Sequence, residues 1–201
     1  MKEIIIASTN PAKIFQIKSA LKLAGIEASG PEKELPEVIE DGKTLIDNAI
    51  KKAKSAAKFL NKTILAMDNG LYFDDLEESK QPGLKIRRIP GFDNKRPSDE
   101  EILKYYLNLI KSLGNKIGGY YRYGICVAIP EGKTWTTVIE SRRTFVSKPY
   151  AKIVGGYPIE SLSIDPKSGK YIAQMNENEK EIFWQKNIGE VLSEFIKSIE
   201  I

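Results

Sequence analysis

The sequence predicts an α/β fold, a mixed β-sheet flanked by helices, and three observations carry that prediction. Apolar strand-like runs alternate with helical patterns through roughly the first seventy residues. Two stretches of alternating polarity, 120–129 and 134–146, flank Pro130-Glu131-Gly132, a hairpin turn signal. The chain closes on an amphipathic helical pattern. Alternating strands and helices argue for parallel strands covered by helices, and the hairpin adds antiparallel ones.

The elements follow in chain order. Lys2 to Ala7 is an apolar run that reads as a short buried strand. Ser8-Thr9-Asn10 then leads into a helix over 11–24, where Asn10 suits the N-cap and Pro11 the first helical position. Ile14, Ile17, Leu21 and Ala24 form its apolar face, and Gly25 stops it. Ile26-Glu27-Ala28 is expected as the second strand. After a turn-rich stretch between Pro31 and Pro36, a second helix starts near Thr44, with Asp47 as its capping-box partner. Leu45, Ala49, Ala53, Ala56 and Leu60 give it a buried stripe, and Asn61 ends it. Thr63 to Met67 is an apolar strand expected to run into an Asp68-Asn69-Gly70 turn, with Leu71-Tyr72-Phe73 beyond it. Residues 74–97 are polar and irregular, and a third helix spans roughly 99–113. After the hairpin, 150–171 reads as short strands and loops. One last helix begins near Asn178, its face marked by Trp184, Ile188, Val191, Leu192, Phe195 and Ile199.

Composition limits the chemistry. A chain of 201 residues with 41% apolar content is expected to form one domain, 1–201. The absence of histidine removes the commonest general base, the usual zinc ligand, and Ser–His and Cys–His nucleophiles. Chemistry must then run on carboxylates, lysines, hydroxyls or an oxygen-bound metal. The net charge of +4 comes from no polybasic block, so neither nucleic acid nor membrane is an expected partner. No apolar run reaches the length of about eighteen residues that a membrane span needs, and no leader segment is evident. The single cysteine, Cys126, reads as a core thiol in a reducing cytoplasm.

Three polar clusters are candidates for function. A strand running through small polar residues into a helix start is a place where phosphate binds, on free backbone N–H groups and the helix dipole. Lys13 in the first turn runs against that dipole and makes sense facing an anion, although Asn-Pro also opens many helices that bind only water. Asp68, after a buried strand, is placed to hold a metal or to form an ordinary β-turn. Glu40, before the second helix, is either a dipole partner or, with Asp68, part of the sparse oxygen shell Mg²⁺ prefers. One of Lys51 and Lys52 is expected to face this site and the other to be solvated. Arg87 and Arg88 are either a solvated loop face or phosphate contacts.

In order and spacing these clusters resemble the inosine triphosphate pyrophosphatase family. The matching stretches are Ser8-Thr9-Asn10-Pro11-Ala12-Lys13, Glu40-Asp41-Gly42-Lys43-Thr44-Leu45 with Asn48-Ala49 and Lys52-Ala53, and Ala66-Met67-Asp68-Asn69-Gly70-Leu71. Pro82-Gly83 with Arg88 and Gly91 resembles the next motif, and the likeness continues more weakly through 170–175 and Glu179-Lys180. The resemblance implies an elongated α/β sheet with two lobes around a central cleft. It implies an enzyme that hydrolyses deaminated purine nucleoside triphosphates, such as those of inosine and xanthosine, to monophosphate and pyrophosphate. It further implies Mg²⁺, a homodimer and a house-cleaning role in nucleotide metabolism. Carried over, Ser8, Thr9, Asn10, Lys13 and Lys52 would grip the triphosphate. Glu40 and Asp68 would hold Mg²⁺, with Asp68 also acting on the attacking water. Asn69, Gly70, Arg88, Tyr157 and Lys180 would contact substrate.

The match is incomplete at the base-reading end. Met67 stands where the family has a second acid, and Gly155-Gly156-Tyr157-Pro158 lacks the aromatic start and the Asp of the family segment. The family's Ser-His-Arg aligns with Trp184-Gln185-Lys186, where Gln185 and Lys186 have side chains able to donate hydrogen bonds to a base carbonyl. Two alternatives follow from these departures: a pyrophosphatase with shifted base preference, such as modified pyrimidines, and a catalytically silent nucleotide-binding regulator. The related septum-formation-inhibitor-like enzymes carry Ser-Pro-Arg-Arg after the strand, which Asn10-Pro11-Ala12-Lys13 does not fit. The carboxylates and phosphate lysines argue against a silent binder.

Overall fold

The structure, a computed structural model, describes residues 3–92 and 95–199. Lys2, the expected start of the first run, lies outside them. Six strands hydrogen-bond in the order β2-β1-β3-β4-β5-β6: β1 Ile4–Ile6, β2 Ala28–Ser29, β3 Ile64–Phe73, β4 Lys116–Ala128, β5 Thr134–Val146 and β6 Ser163–Ile164. β1 runs parallel to both β2 and β3, pairing Ile4 with Ala28 and Ile5 with Ile64, while β6 runs antiparallel to β5. The mixed sheet flanked by helices is therefore as expected. The helices are α1 Pro11–Leu21, α2 Leu45–Leu60, α3 Asp99–Ser112, α4 Glu177–Trp184 and α5 Glu190–Ser198.

Local chemistry explains most boundaries. Asn10 caps α1 by accepting from the Ala12 N–H, and the helix tightens into a 3₁₀ turn before Gly25, which sits at φ 65°. Thr44 and Asp47 form the reciprocal capping box of α2, and Asn61 leaves it in the left-handed region. β2 falls at Ala28–Ser29, later than the expected 26–28, because Ile26 is used to close the preceding turn on Leu21 O.

Two expectations need correction. Asp68-Asn69-Gly70 is no turn: β3 runs unbroken through it for ten residues. Leu71 exchanges two backbone hydrogen bonds with Gly83, which keeps the chain extended past Gly70. The last helix is also not continuous. A π-helical segment, Gln185–Gly189, separates α4 from α5. Gly189 lies against α1, where a Cβ would sit 2.9 Å from Ala20 O, so the irregular turn coincides with a close approach to the α1 backbone.

The chain forms two compact units. The first comprises residues 3–69, 122–140 and 181–199. Its core packs the α2 alanines Ala49, Ala53, Ala56 and Ala57 against Ile5, Ile64, Ala66, Cys126 and Ala128. Small residues let the helix lie close to the sheet, and at Gly124 a Cβ would meet Leu45 Cβ at 2.6 Å. That close seat fixes the first turns of α2. The second unit, 70–121 and 141–180, is built on aromatic rings. Phe73 meets Phe145 edge-on at 5.0 Å, and the Tyr106 hydroxyl donates to Ile86 O at 2.9 Å, tethering the loop before Arg88.

Candidate functional site

The first unit brings Lys13, Glu40, Lys52 and Asp68 together. β1 ends at Ile6, whereas its neighbour β3 continues. Ala7 N–H still donates to Leu65 O, and two residues on, Met67 O points the same way with no strand left to face. Lys13 Nζ takes that vacancy, donating to Met67 O at 3.3 Å. The early end of β1 thus pulls the α1 lysine onto the residue preceding Asp68. Ser8 Oγ accepts from Asn10 N–H at 3.2 Å, which sets the turn between β1 and α1.

From α2, Lys52 Nζ reaches Glu40 Oε2 and Asp68 Oδ1, each at 3.0 Å, with the lysine and aspartate side chains only 14% and 12% exposed. Lys51, one position round the helix, pairs outward with Asp41. Helical geometry thus separates the two lysines as expected. Asn48, one turn before Lys52 and 4% exposed, is a residue the sequence reading quoted without a role. Its Oδ1 accepts from Gly42 N–H at 2.8 Å and its Nδ2 donates to Asp68 Oδ2 at 3.0 Å. The signal that marks it is its i, i+4 spacing from Lys52. Gly42 is required for this approach, since a Cβ there would stand 2.5 Å from Asn48 Oδ1.

Burial and the neighbouring Lys52 cation push the Lys13 ammonium down to about 8, against the opposing fields of Asp68 and Glu40. The site therefore holds a cation whose charge is not fully matched by the groups around it. Thr9 is exposed beside it, and Asn69 lies on the opposite face of β3 from Asp68 by strand alternation.

The second unit holds Gly70, Arg88, Tyr157 and Lys180. Arg87 and Arg88 part company. Arg87 donates to Asp99 Oδ1 at 2.7 Å, while the exposed Arg88 side chain makes no hydrogen bond or ion pair among the described residues. Asp99 Oδ2 accepts from Gly156 N–H at 2.8 Å, so this carboxylate at the start of α3 holds both the Arg88 loop and the loop leading to Tyr157. The Tyr157–Pro158 turn opens a 3₁₀ segment that buries Glu160.

Glu160 is a second residue that sequence reasoning missed, for its burial depends on tertiary packing. Burial raises its carboxyl to about 7, against the lowering fields of Lys180 and Arg143. Between its ordinary 4.5 and about 7, the folded state holds a proton that the unfolded state has lost, so stability falls as pH rises through that window. Glu160→Gln is expected to leave the thermal midpoint near wild type at pH 4.5 and to raise it above wild type beyond pH 7, a stability difference of up to roughly 3 kcal/mol. Parallel midpoint curves for the two proteins across that range would refute this.

Where α4 ends, Trp184 is buried edge-on against Phe183, with ring centroids 4.7 Å apart, and so faces the core. Gln185 Nε2 donates to Glu181 Oε1 at 3.3 Å, and Glu181 pairs with Lys22 at the end of α1. The Lys186 side chain is exposed and makes no hydrogen bond or ion pair among the described residues.

Among the described residues, no group of three or more acidic, cysteine or histidine side chains gathers as a metal site. The carboxylate pair Glu40 and Asp68, both touching one lysine ammonium, is the alternative. Such a sparse, all-oxygen pair fits Mg²⁺, which takes one or two carboxylates and keeps its other positions for water and phosphate.

A mixed α/β sheet with two lysines and two carboxylates gathered where β1 gives way to α1 defines an anion-handling α/β protein. The family model of the Ham1 family matches residues 4–186, and the chain belongs to that family. A dITP/XTP pyrophosphatase of Bacillus subtilis is 30% identical over 183 residues, covering 90% of this chain and 89% of its own. One from Staphylococcus aureus is 31% identical over 204 residues, covering 98% of this chain and 97% of its own. Among solved structures, the Staphylococcus aureus Ham1 protein superposes with a TM-score of 0.68 at 27% identity, covering 98% of each chain. A HAM1 protein from Coxiella burnetii, at 22% identity and TM-score 0.70, covers 99% of this chain and 100% of its own and shares the fold.

Proposed function

We propose that this protein is a nucleoside triphosphate pyrophosphatase. It hydrolyses deaminated purine nucleoside triphosphates, of the ITP, dITP and XTP type, to the monophosphate and pyrophosphate with Mg²⁺. Family membership and relatives named dITP/XTP pyrophosphatase support this. The observation that carries it is Lys52, which joins Glu40 and Asp68 at 3.0 Å each.

Hydrolysis between the α- and β-phosphates places a water oxygen on the α-phosphorus and releases pyrophosphate. Asp68 orients this water and accepts its proton. Lys13, Lys52 and the turn from Ser8 to Asn10 hold phosphate oxygens, neutralising charge as it moves onto the leaving group. Bound Mg²⁺ would supply further charge neutralisation there, held by Glu40 and Asp68. For Asn69, Gly70, Arg88, Tyr157 and Lys180, and for Gln185 and Lys186 on the base, the assignment rests on the resemblance alone. The same holds for the homodimer and for residues 1–201 working as one pyrophosphatase domain. No described helix is long and apolar enough to cross a membrane. A cytoplasmic setting is supported by the single cysteine, Cys126, which is free and buried.

The test is pyrophosphate release from a panel of ITP, dITP, XTP, the four ordinary deoxynucleotides and a modified pyrimidine triphosphate, with and without Mg²⁺. Faster turnover of deaminated purines, dependent on Mg²⁺, is expected. Binding without turnover across the panel would instead mark a nucleotide-binding regulator.

The Lys13 shift has a measurable consequence. Below about pH 8 the folded protein carries this charge, and between about 8 and 10.5 it loses a proton that the unfolded chain keeps. A bound polyphosphate restores the charge, so binding at pH 8, where the ammonium is about half deprotonated, takes up a fraction of a proton. Calorimetric titration of tripolyphosphate in two buffers of different ionisation enthalpy should detect that uptake, and Lys13→Met should lose it. Equal proton uptake by both proteins would sink the assignment.

A further inference from the structure

We propose that Asn48 is a positioning residue that sets the orientation of the Asp68 carboxylate. This rests on the function proposed above. Asn48 is 4% exposed, and both ends of its amide are used. Its oxygen must face the Gly42 N–H at 2.8 Å, because turning the amide over would set N–H against N–H. Its NH₂ is thereby aimed at Asp68 Oδ2 at 3.0 Å. Lys52 holds the other oxygen, Oδ1, at 3.0 Å. The two donors come from adjacent turns of one helix, and that helix is seated on Gly124 without room for a methyl group.

The carboxylate plane is therefore fixed at both oxygens. The chain leading from Glu40 is tied to the same amide two residues later, at Gly42. The ring Gly42–Asn48–Asp68–Lys52–Glu40 closes on itself, so the spacing of the two carboxylates depends on one asparagine. A water-orienting carboxylate free to rotate loses rate more than binding, since its placement matters in the transition state and the triphosphate is held elsewhere.

The experiment compares Asn48→Asp, Asn48→Ala, Asp68→Asn and the double variant Asn48→Asp with Asp68→Asn. Asn48→Asp keeps the acceptor for Gly42 but sets a carboxylate against Asp68. Both single Asn48 variants are expected to lower kcat by about 10- to 100-fold, with KM within about threefold. Nucleotide binding by calorimetry stays near wild type. The double variant exchanges donor and acceptor, so its thermal midpoint should recover relative to Asn48→Asp while activity stays lost. Wild-type kcat in both Asn48 variants beside an inactive Asp68→Asn overturns the positioning alone. If Asn48→Ala does not fold, Asn48→Asp and the midpoint of the double variant still decide the matter. An active Asp68→Asn overturns the reading of the site, and this proposal with it.

Discussion

Asp68→Asn is expected to lower pyrophosphate release from the preferred nucleotide by between about a hundredfold and ten-thousandfold, the range spanned by removal of a positioned acid–base group. The substitution is nearly isosteric. It keeps an oxygen for the Asn48 amide and leaves Lys52 its bond to Glu40. It removes the group proposed to accept the proton of the attacking water, and half of the carboxylate pair. Nucleotide binding should survive, because Lys13, Lys52 and the Ser8–Asn10 turn are untouched. The check is a steady-state rate beside a calorimetric affinity for one triphosphate. A rate within twofold of wild type would remove Asp68 from the chemistry.

Lys52→Met is expected to damage both stability and activity. The lysine is the shared counter-ion of two carboxylates, and methionine fills much of its volume without its charge. Leaving a mostly buried carboxylate unpaired costs about 3 kcal/mol, at the lower end of the usual range because Glu40 keeps 45% exposure. At roughly 2–4 °C for each kcal/mol, the thermal midpoint should fall visibly. Mg²⁺ should raise the midpoint of the variant more than that of wild type, because the carboxylates have lost their internal cation. KM for nucleotide should rise as well, since a proposed phosphate contact is gone. A variant with wild-type midpoint, KM and Mg²⁺ response would show that the bridge in the structure has no energetic weight.

Much of this was legible in the chain, and the exceptions have identifiable causes. The caps of α1 and α2, the alanine stripe and the β4–β5 hairpin follow from local rules: an oxygen two or three residues before a donor, a 3.6-residue period, a Pro-Glu-Gly turn. The Asp68-Asn69-Gly70 expectation failed because turn propensity is weak against backbone pairing on both sides of it, and Gly83, twelve residues on from Leu71, supplies that pairing. The break at Gln185–Gly189 failed for the same kind of reason. Its residues carry no local helix breaker before Gly189, and what accompanies the irregular turn is the α1 backbone at Ala20.

The site divides along the same line. Sequence alone determined which residue types were available: no histidine, a carboxylate after a strand and another before a helix, and lysines on the first two helices. Taken with the family resemblance, that pointed to phosphate chemistry run on oxygen and ammonium groups. Only the tertiary structure decided which lysine of the pair Lys51–Lys52 joins the carboxylates and which arginine of Arg87–Arg88 is spent on Asp99. It also decided that Lys13 is drawn to Met67 O and that Asn48 links Gly42 to Asp68. The physical reason is that these choices depend on where β1 stops beside β3 and how closely α2 sits on Gly124. Those distances are set by packing between segments far apart in the chain, and no local pattern encodes them.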